Sequence, residues 1–405
     1  MPNDYRSCCE DSRSLRLNLV NELVDGGAIE SNDWINVFSS VPRHVFVPRI
    51  FTAKGGTTYE PLDGTDPTHR DEWLRHVYSD DICITQIDGN DEAWNLAVAN
   101  GSVRADRITC TSSQPSLMAA MLEELNVRDD DRILEIGTGT GYNAALLCER
   151  LGSDRVVSVD IDPLLVQRAK DALTSLGYYP DLVSEDGGQG AQSSEKHSKI
   201  IATASFSEIP PLWLNQATDG GLILANIFRP LGGGILAALT MTDGEAAGHF
   251  SSRTAAYMPT RALDVAAPFA LLQQVTDEEE EAAELMGTEI DAASILKDTE
   301  ARFFLALMSD FDEIRVQYEN NPEEQWILTA DGSWAFTYAY KGGFHVKQGG
   351  KRRIWDEFES IYTRWIQLGQ PRRNRFGLTA TTTQKRIWLD NPDQVITVPG
   401  LRSGD

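Results

Sequence analysis

The chain is poor in the residues that build metal and disulfide frameworks. Its five cysteines (Cys8, Cys9, Cys83, Cys110 and Cys148) are scattered over 405 residues without a C-x-x-C pair, and its six histidines do not cluster. That excludes a zinc ribbon or a disulfide scaffold, so no metal is expected. Long apolar runs are missing as well: none approaches the ~18 residues a spanning helix needs. The leading "MPNDYRSCCEDSRSL" has no apolar signal core. The expectation is a cytoplasmic protein with no membrane partner. Positive charge is scarce too, with 36 Lys and Arg against 61 Asp and Glu, a net charge of −25. Such a chain repels polyanions, and no nucleic-acid partner is expected. The exceptions, "KQGGKRR" at 347–353 and "PRRNRFG" at 371–377, read either as solvated surface or as a docking site for an acidic peptide.

Length predicts two or three domains. Residues 14–40 carry apolar residues at helical spacing broken by "DGG", which predicts two short helices; "VPRHVFVP" at 41–48 then reads as an extended connection between prolines. Residues 54–109 are polar and rich in Gly, Asp and Asn, and read as a long irregular region with short strands. From 113 onward the pattern is regular. "QPSLMAAMLEELNV" is a helix opened by a proline, and strands alternate with helices through "RILEIG", "RVVSVDI", "LVSED", "KIIATA" and "GGLILANIF". That spacing predicts βαβ units and a doubly wound α/β domain with a parallel sheet.

Composition changes after the charge block "TDEEEEAAE" at 276–284. "RFFLALMSDFDEIRVQYE" fits strand or amphipathic helix, "QWILTADGSWAFTYAY" a hairpin turning at Asp331 and Gly332, "RIWDEFESIYTRWIQLG" a helix and "RFGLTATTTQKRIWLD" a second hairpin. Two domains follow: 1–264, catalytic, and 265–405, α+β, with Trp326, Trp334, Trp355, Trp365 and Trp388 placed in the core of the latter.

"EIGTGTGY" at 135–142 lies between a strand and a helix, so it should hold a ligand. No lysine follows Gly141, which excludes a P-loop, and the spacing Gly137, Gly139, Gly141 fits G-x-G-x-x-G poorly. S-adenosylmethionine carries no phosphate and needs only close backbone approach with polar groups at its ends. Glu135 ends the first strand, where a carboxylate can attract the cofactor's cationic centres. Asp160 ends the second, about 20 residues on, where an acid can accept ribose hydroxyls in either class of cofactor.

"VPRHVFVP", "VYSDD" at 77–81, "SSQPSLMAAMLEEL" at 112–125, "LEIGTGTGYNAALL" at 134–147, "LGYYPDLVSEDGGQG" at 176–190 and "IIATASFSEIPPLWLNQATDGGLIL" at 200–224 follow one another in an order that resembles the protein-L-isoaspartate O-methyltransferases, over roughly residues 15–260. The resemblance implies a Rossmann-like class I methyltransferase domain using S-adenosyl-L-methionine and releasing S-adenosyl-L-homocysteine. It implies that Gly137, Gly139 and Gly141 approach the methionyl part, Asp160 the ribose, and Asp186 with Gly187 the adenine, with Thr138, Ile161 and Thr203 completing the cofactor set. Ser113 matches the serine that touches substrate carboxylate and methyl donor, and Tyr78 and Gln114 join it on the substrate side.

The sequence departs from that pattern in places. "EDG" stands for the usual "GDG", His197 and Ser198 replace "FD", and the stretch between Tyr78 and Ser113 is longer than in the repair enzymes, without their "GxGQT". Repair enzymes are expected to end near the "YMP" at 257–259, and the further residues resemble the long methyltransferases encoded with lanthipeptides and graspetides. That likeness implies a monomer that methylates an aspartate of a cyclised precursor peptide, leading through methanol loss to aspartimide or isoaspartate. Arg372 and Arg373, with Arg352, Arg353 and Arg375, would meet the peptide's acidic residues. The alternatives are a general isoaspartyl repair methyltransferase, a non-catalytic peptide-binding homologue and, disfavoured by the glycine spacing, a nicotinamide oxidoreductase.

Overall fold

The computed structural model describes residues 9–191, 195–261, 263, 268–316 and 324–398. The chain forms two compact units. The first comprises 1–204, 210–225 and 240–245; the second comprises 205–209, 226–239 and 246–405. The boundary expected at 264/265 lies outside the described residues.

The first unit opens with helices Cys9–Asp25 and Asn32–Ser40, and a one-turn 3-10 helix, Arg43–Val45, replaces the extended connection expected between the prolines. That turn points Arg43 and His44 inward, where both are buried. The stretch read as irregular with short strands has those strands, and they join into a small sheet: β1 (Arg49–Gly55), β2 (Thr58–Asp63), β3 (Cys83–Ile87), β4 (Val103–Arg104) and β5 (Ile108–Ser112), in the order β4-β2-β1-β3-β5. Helices Arg70–Val77 and Glu92–Asn100 accompany it. Phe51, Tyr59, Ile84, Ile87, Trp94 and Ala97 give it a core of its own. Its strands are too short, and too many of their residues face water, for the apolar period to stand out.

The doubly wound α/β sheet follows as expected. β6 (Ile133–Ile136), β7 (Val156–Asp160), β8 (Asp181–Ser184) and β9 (His197–Phe206) lie in the order β9-β6-β7-β8, all parallel. β6 is buried along its whole length, as a strand covered by helices on both faces must be. Helices Tyr142–Leu151 and Pro163–Ser175 make the crossovers. β10 (Ala217–Arg229) neighbours β9, and both strands run on from the first unit into the second.

β11 (Gly233–Thr242) neighbours β12 (Glu245–Thr254), and in the second unit a further sheet follows. β13 (Met286–Thr288), β14 (Asp312–Val316), β15 (Glu324–Leu328), β16 (Trp334–Tyr340) and β17 (Gly343–Gly349) form a sheet ordered β13-β17-β16-β15-β14. The expected hairpin at Asp331 and Gly332 joins β15 to β16, with Gly332 at φ +84°. The second expected hairpin is β18 (Phe376–Ala380) with β19 (Lys385–Leu389), and β18 pairs antiparallel with β12. "RFFLALM" is helix Thr299–Met308 and "DEIRV" is strand β14, so that ambiguous run holds both. All five tryptophans are buried. Among the described residues no helix is long and apolar enough to cross a membrane.

One side chain ties the small sheet to the α/β core. Gln86 of β3 donates from Nε2 to Asp162 Oδ2 at 3.1 Å, while Asp162 Oδ1 accepts from the backbone N–H of Leu164 at 2.9 Å and Leu165 at 3.4 Å. The same carboxylate therefore caps helix Pro163–Ser175 and holds β3. Asp162→Ala is expected to lose about 1–2 kcal/mol in urea unfolding. A loss no larger than that of an exposed aspartate would show that the cap stands without it.

Candidate active site

The glycine loop is held by a relay of buried polar side chains. Glu135, fully buried on β6, accepts from Asn143 Nδ2 at 2.7 Å and from Ser158 Oγ at 2.5 Å, and Ser158 meets Thr138 Oγ1 at 2.6 Å. Desolvation pushes the Glu135 carboxyl up to about 7, against the lowering effect of its two donors. From the other side Thr203 donates to the carbonyls of Gly137, at 2.7 Å, and Ile136, at 3.1 Å. Gly137 sits at φ +107°, where a Cβ would stand 2.7 Å from Thr203 Oγ1; at Gly141, φ +85°, it would meet Ala169 Cβ at 2.9 Å. Only glycine allows the loop to lie this close to its supports.

The carboxyl edge of the sheet carries the groups a phosphate-free adenosyl ligand needs. Asp160 Oδ2 accepts from Gly139 N at 2.8 Å and Oδ1 from Asp162 N at 3.0 Å, which fixes its carboxylate beside the loop. Ile161 follows it 46% exposed, an apolar face for an aromatic ring. At the end of β8, exposed Asp186 accepts from Gly188 N at 2.9 Å, and the Gly187 carbonyl accepts from Trp213 Nε1 at 2.8 Å. This donor set suits hydroxyls, an amine and a purine. S-adenosylmethionine presents groups of these kinds, whereas Glu135, expected to attract its cationic centres, is instead fully buried and bound to Asn143 and Ser158.

The segment around Ser113 hangs on Arg43 of "VPRHVFVP", a residue outside the expected site set. Arg43 is fully buried, and its guanidinium donates to the carbonyls of Val77 (2.8 Å), Ser79 (3.3 Å), Asp81 (3.0 Å), Ser112 (3.2 Å) and Ser113 (2.9 Å) and to Ser112 Oγ (3.3 Å). "VPRHVFVP", "VYSDD" and "SSQP" thus converge on one cation. Asp80 adds a second clamp: Oδ2 accepts from Gln114 Nε2 at 3.1 Å, and Oδ1 from Ser116 N at 2.8 Å, at the start of helix Pro115–Leu125. Ser113 is left half-buried at the head of that helix. β5 reaches the glycine loop three residues earlier: a Cβ on Gly139 would lie 3.7 Å from Cys110 Sγ and 3.8 Å from the Thr111 carbonyl.

Tyr78 lies within these segments, sharing a 2.6 Å hydrogen bond with His44 Nδ1; burial pushes the phenol up to about 12 and the imidazole down to about 4. Arg372 and Arg373 belong to the second unit. Arg372 is exposed, whereas Arg373 pairs with Glu300 at 3.3 Å and packs 5.2 Å from the Phe303 ring centroid. Arg43 and Asp80 could have been suspected from one signal, a charged residue inside each motif with no other task. Gln86 and Asp162 offered none, since they pair across 76 residues through a sheet whose short strands carry no clear apolar period.

A parallel sheet with a glycine loop opening the helix after its central strand, and an acid ending the next, defines the class I methyltransferase fold. The protein-L-isoaspartate(D-aspartate) O-methyltransferase family matches residues 91–254. A protein-L-isoaspartate O-methyltransferase from Marinobacter nauticus is 31% identical over 217 residues, covering 53% of this chain and 78% of that one. Another, from Methanococcus maripaludis, is 34% identical over 211 residues, covering 52% and 79%. A solved structure named protein-L-isoaspartate O-methyltransferase matches with a TM-score of 0.51 at 19% identity, covering 93% of this chain and all of its own. The chain belongs to the protein-L-isoaspartate O-methyltransferase family, and is thereby an S-adenosylmethionine-dependent carboxyl O-methyltransferase.

Two outcomes follow from the supports. Arg43→Met leaves a cluster of carbonyls without donors and is expected to cost about 3–5 kcal/mol in chemical denaturation; a loss below 1 kcal/mol would remove Arg43 from its central place. The Glu135 carboxyl keeps its proton in the folded state to about pH 7, above its ordinary value of 4.5. The folded chain then binds the extra proton, so this contribution is complete below about pH 4.5 and is lost as pH rises through 7. Glu135→Gln should flatten that slope in unfolding curves taken from pH 5 to 8 without ligand.

Proposed function

We propose that this chain transfers a methyl group from S-adenosylmethionine to the free α-carboxylate of an isoaspartyl residue in a protein or peptide. The observation that carries the reading is the double clamp by Arg43 and Asp80, which fixes Ser113 and Gln114 at a helix head directly after the strand whose Cys110 lies over Gly139. Bound cofactor supplies a methyl carbon made electrophilic by its sulfonium. A carboxylate, with an ordinary pKa of about 3.9, is already ionised at neutral pH, so no strong general base is needed. The protein's task is to strip water from the anion and align one oxygen with the methyl carbon. Ser113 can hold the other oxygen through its hydroxyl, and Gln114, kept by Asp80, limits where the peptide lies. The ester then loses methanol when the next backbone nitrogen attacks its carbonyl, closing a succinimide without further help from the enzyme.

A narrower reading keeps the chemistry and changes the substrate: an aspartate of a cyclised, ribosomally made precursor peptide, ending as aspartimide or isoaspartate. It is supported by the extra sheet β1–β5, which rebuilds the chain between the Arg43 motif and Ser113 and is braced on Asp162. In that reading the second unit recognises the cyclised peptide, with Arg372 as its exposed cation. The wider reading is preferred because it needs only the family's chemistry.

Labelled S-adenosylmethionine with matched isoaspartyl and aspartyl peptides tests both. Label should enter the linear isoaspartyl peptide, and Ser113→Ala should lower kcat/KM about 10–100-fold with cofactor affinity unchanged. Asp160→Ala should instead raise the cofactor Kd about tenfold in calorimetry. Label entering only a cyclised aspartyl peptide would select the narrower reading. Label entering neither, or full activity in Ser113→Ala, would overturn the assignment.

A further inference from the structure

A cavity of about 610 Å³ lies in the first unit, between the small sheet and helix Pro163–Ser175, and reaches the glycine loop at Gly139 and Thr140. Its volume falls in the range of about 300–1,000 Å³ typical of sites for compact ligands. The charged groups in its lining answer one another. Asp91 accepts from Arg49 Nη2 through Oδ1 at 2.9 Å and pairs with Arg168 through Oδ2, and Asp63 adds a further attraction on Arg49. Asp171 is the third carboxylate of the lining and accepts from Gln167 Nε2 at 2.9 Å, so three carboxylates face two guanidiniums. An entering acid would meet cations that already have partners, and an entering base would be brought against both guanidiniums. Beyond these groups and a few hydroxyls the side chains of the lining are apolar: Val45, Phe46, Pro48, Trp94, Leu165 and Ala172. Two of these walls are fixed by other rings, Phe46 packing 5.7 Å from the Tyr142 centroid and Trp94 edge-to-face with Phe51 at 5.2 Å. Arg49 stands 5.0 Å from the Trp94 centroid, so a cation of this cavity already lies against a ring.

We infer that this cavity is a specificity subsite for an aromatic side chain of the polypeptide substrate, close in sequence to the residue that is methylated. The inference rests on the proposed isoaspartyl chemistry for its substrate, while the cavity is argued from its own geometry. An aromatic ring is neutral, so it leaves the balance of Asp63, Asp91 and Asp171 with Arg49 and Arg168 undisturbed. Its negative faces attract guanidiniums whose in-plane donors stay on their carboxylates. Its edge and face suit the walls at Phe46, Trp94 and Leu165, and burying one ring removes about 150–250 Å² from water. An aliphatic side chain would gain only the burial. Because Gly139 and Thr140 line the same cavity, a peptide that presents one carboxylate at the cofactor loop has this subsite within reach of a neighbouring residue.

The test uses the full-length protein with S-adenosylhomocysteine and synthetic isoaspartyl peptides that differ only by Phe, Leu, Glu, Lys or Ala at one flanking position, each position being varied in turn. At one of these positions calorimetry should give the Phe peptide about tenfold lower Kd than the Ala peptide, with Leu between them and Glu and Lys no tighter than Ala. Ala172→Trp, which fills the cavity from helix Pro163–Ser175, should abolish the Phe advantage while leaving the affinities for the Ala peptide and S-adenosylhomocysteine unchanged. Ala172→Leu serves as the milder filling if Ala172→Trp does not fold, as judged by its melting curve. Equal affinities at every flanking position, a Leu, Glu or Lys peptide that binds as tightly as the Phe peptide, or a Phe advantage that survives filling overturns the subsite. Methyl transfer is scored separately with labelled cofactor: a Phe preference in binding without transfer to any peptide rejects the isoaspartyl reading and leaves the subsite standing.

Discussion

A buried arginine with carbonyl partners is the constraint on which the rest of the site depends. Taking a guanidinium out of water costs several kcal/mol, and at Arg43 five carbonyls and one hydroxyl offset that cost. Carbonyl dipoles do this only when several converge with good geometry, so the segments around 77–81 and 112–113 have little freedom to move separately. Ser113 inherits that rigidity through its own carbonyl. The 3-10 turn at Arg43–Val45 exists in the service of this contact, because an extended chain between Pro42 and Pro48 would not turn two consecutive side chains inward.

The cofactor side is built on the same economy of buried polar groups. Glu135, Asn143, Ser158 and Thr138 satisfy one another in a place closed to water, and an incompletely paired member there would cost more than the network contributes. The loop is consequently set before a ligand arrives, with Asp160 already oriented by Gly139. A site preorganised in this way spends little binding energy on ordering itself.

How much of this could be read in the sequence follows from the range of each interaction. Gly137, Gly141, Asp160 and the helices after β6 and β7 are decided within about 30 residues, and the strand–loop–helix pattern exposes them. Ser113 was legible because its neighbours Gln114 and Pro115 open a helix. Residues 54–109 were not, since their core of Phe51, Tyr59, Ile84, Ile87 and Trp94 comes from short strands and a helix with polar residues between. The turn at Arg43–Val45 was missed for a related reason: prolines at both ends favour extended backbone locally, and only a contact with residues 77–113 overrides that preference. Gln86 shows the limit most plainly, for in "CITQI" it looks like the solvent-facing member of a strand, yet it is buried against Asp162.

Charge balance, more than their count, decides what the arginines of the second unit can hold. In the second unit Arg352 has both Asp310 and Glu357, Arg353 has Asp356, Arg373 has Glu300, and Arg375 has Asp390 through two nitrogens. Four of the five arginines that resembled a docking patch are thus matched by at least one carboxylate each, in keeping with a chain that carries many more acids than bases. An acidic peptide arriving there would have to displace partners already in place.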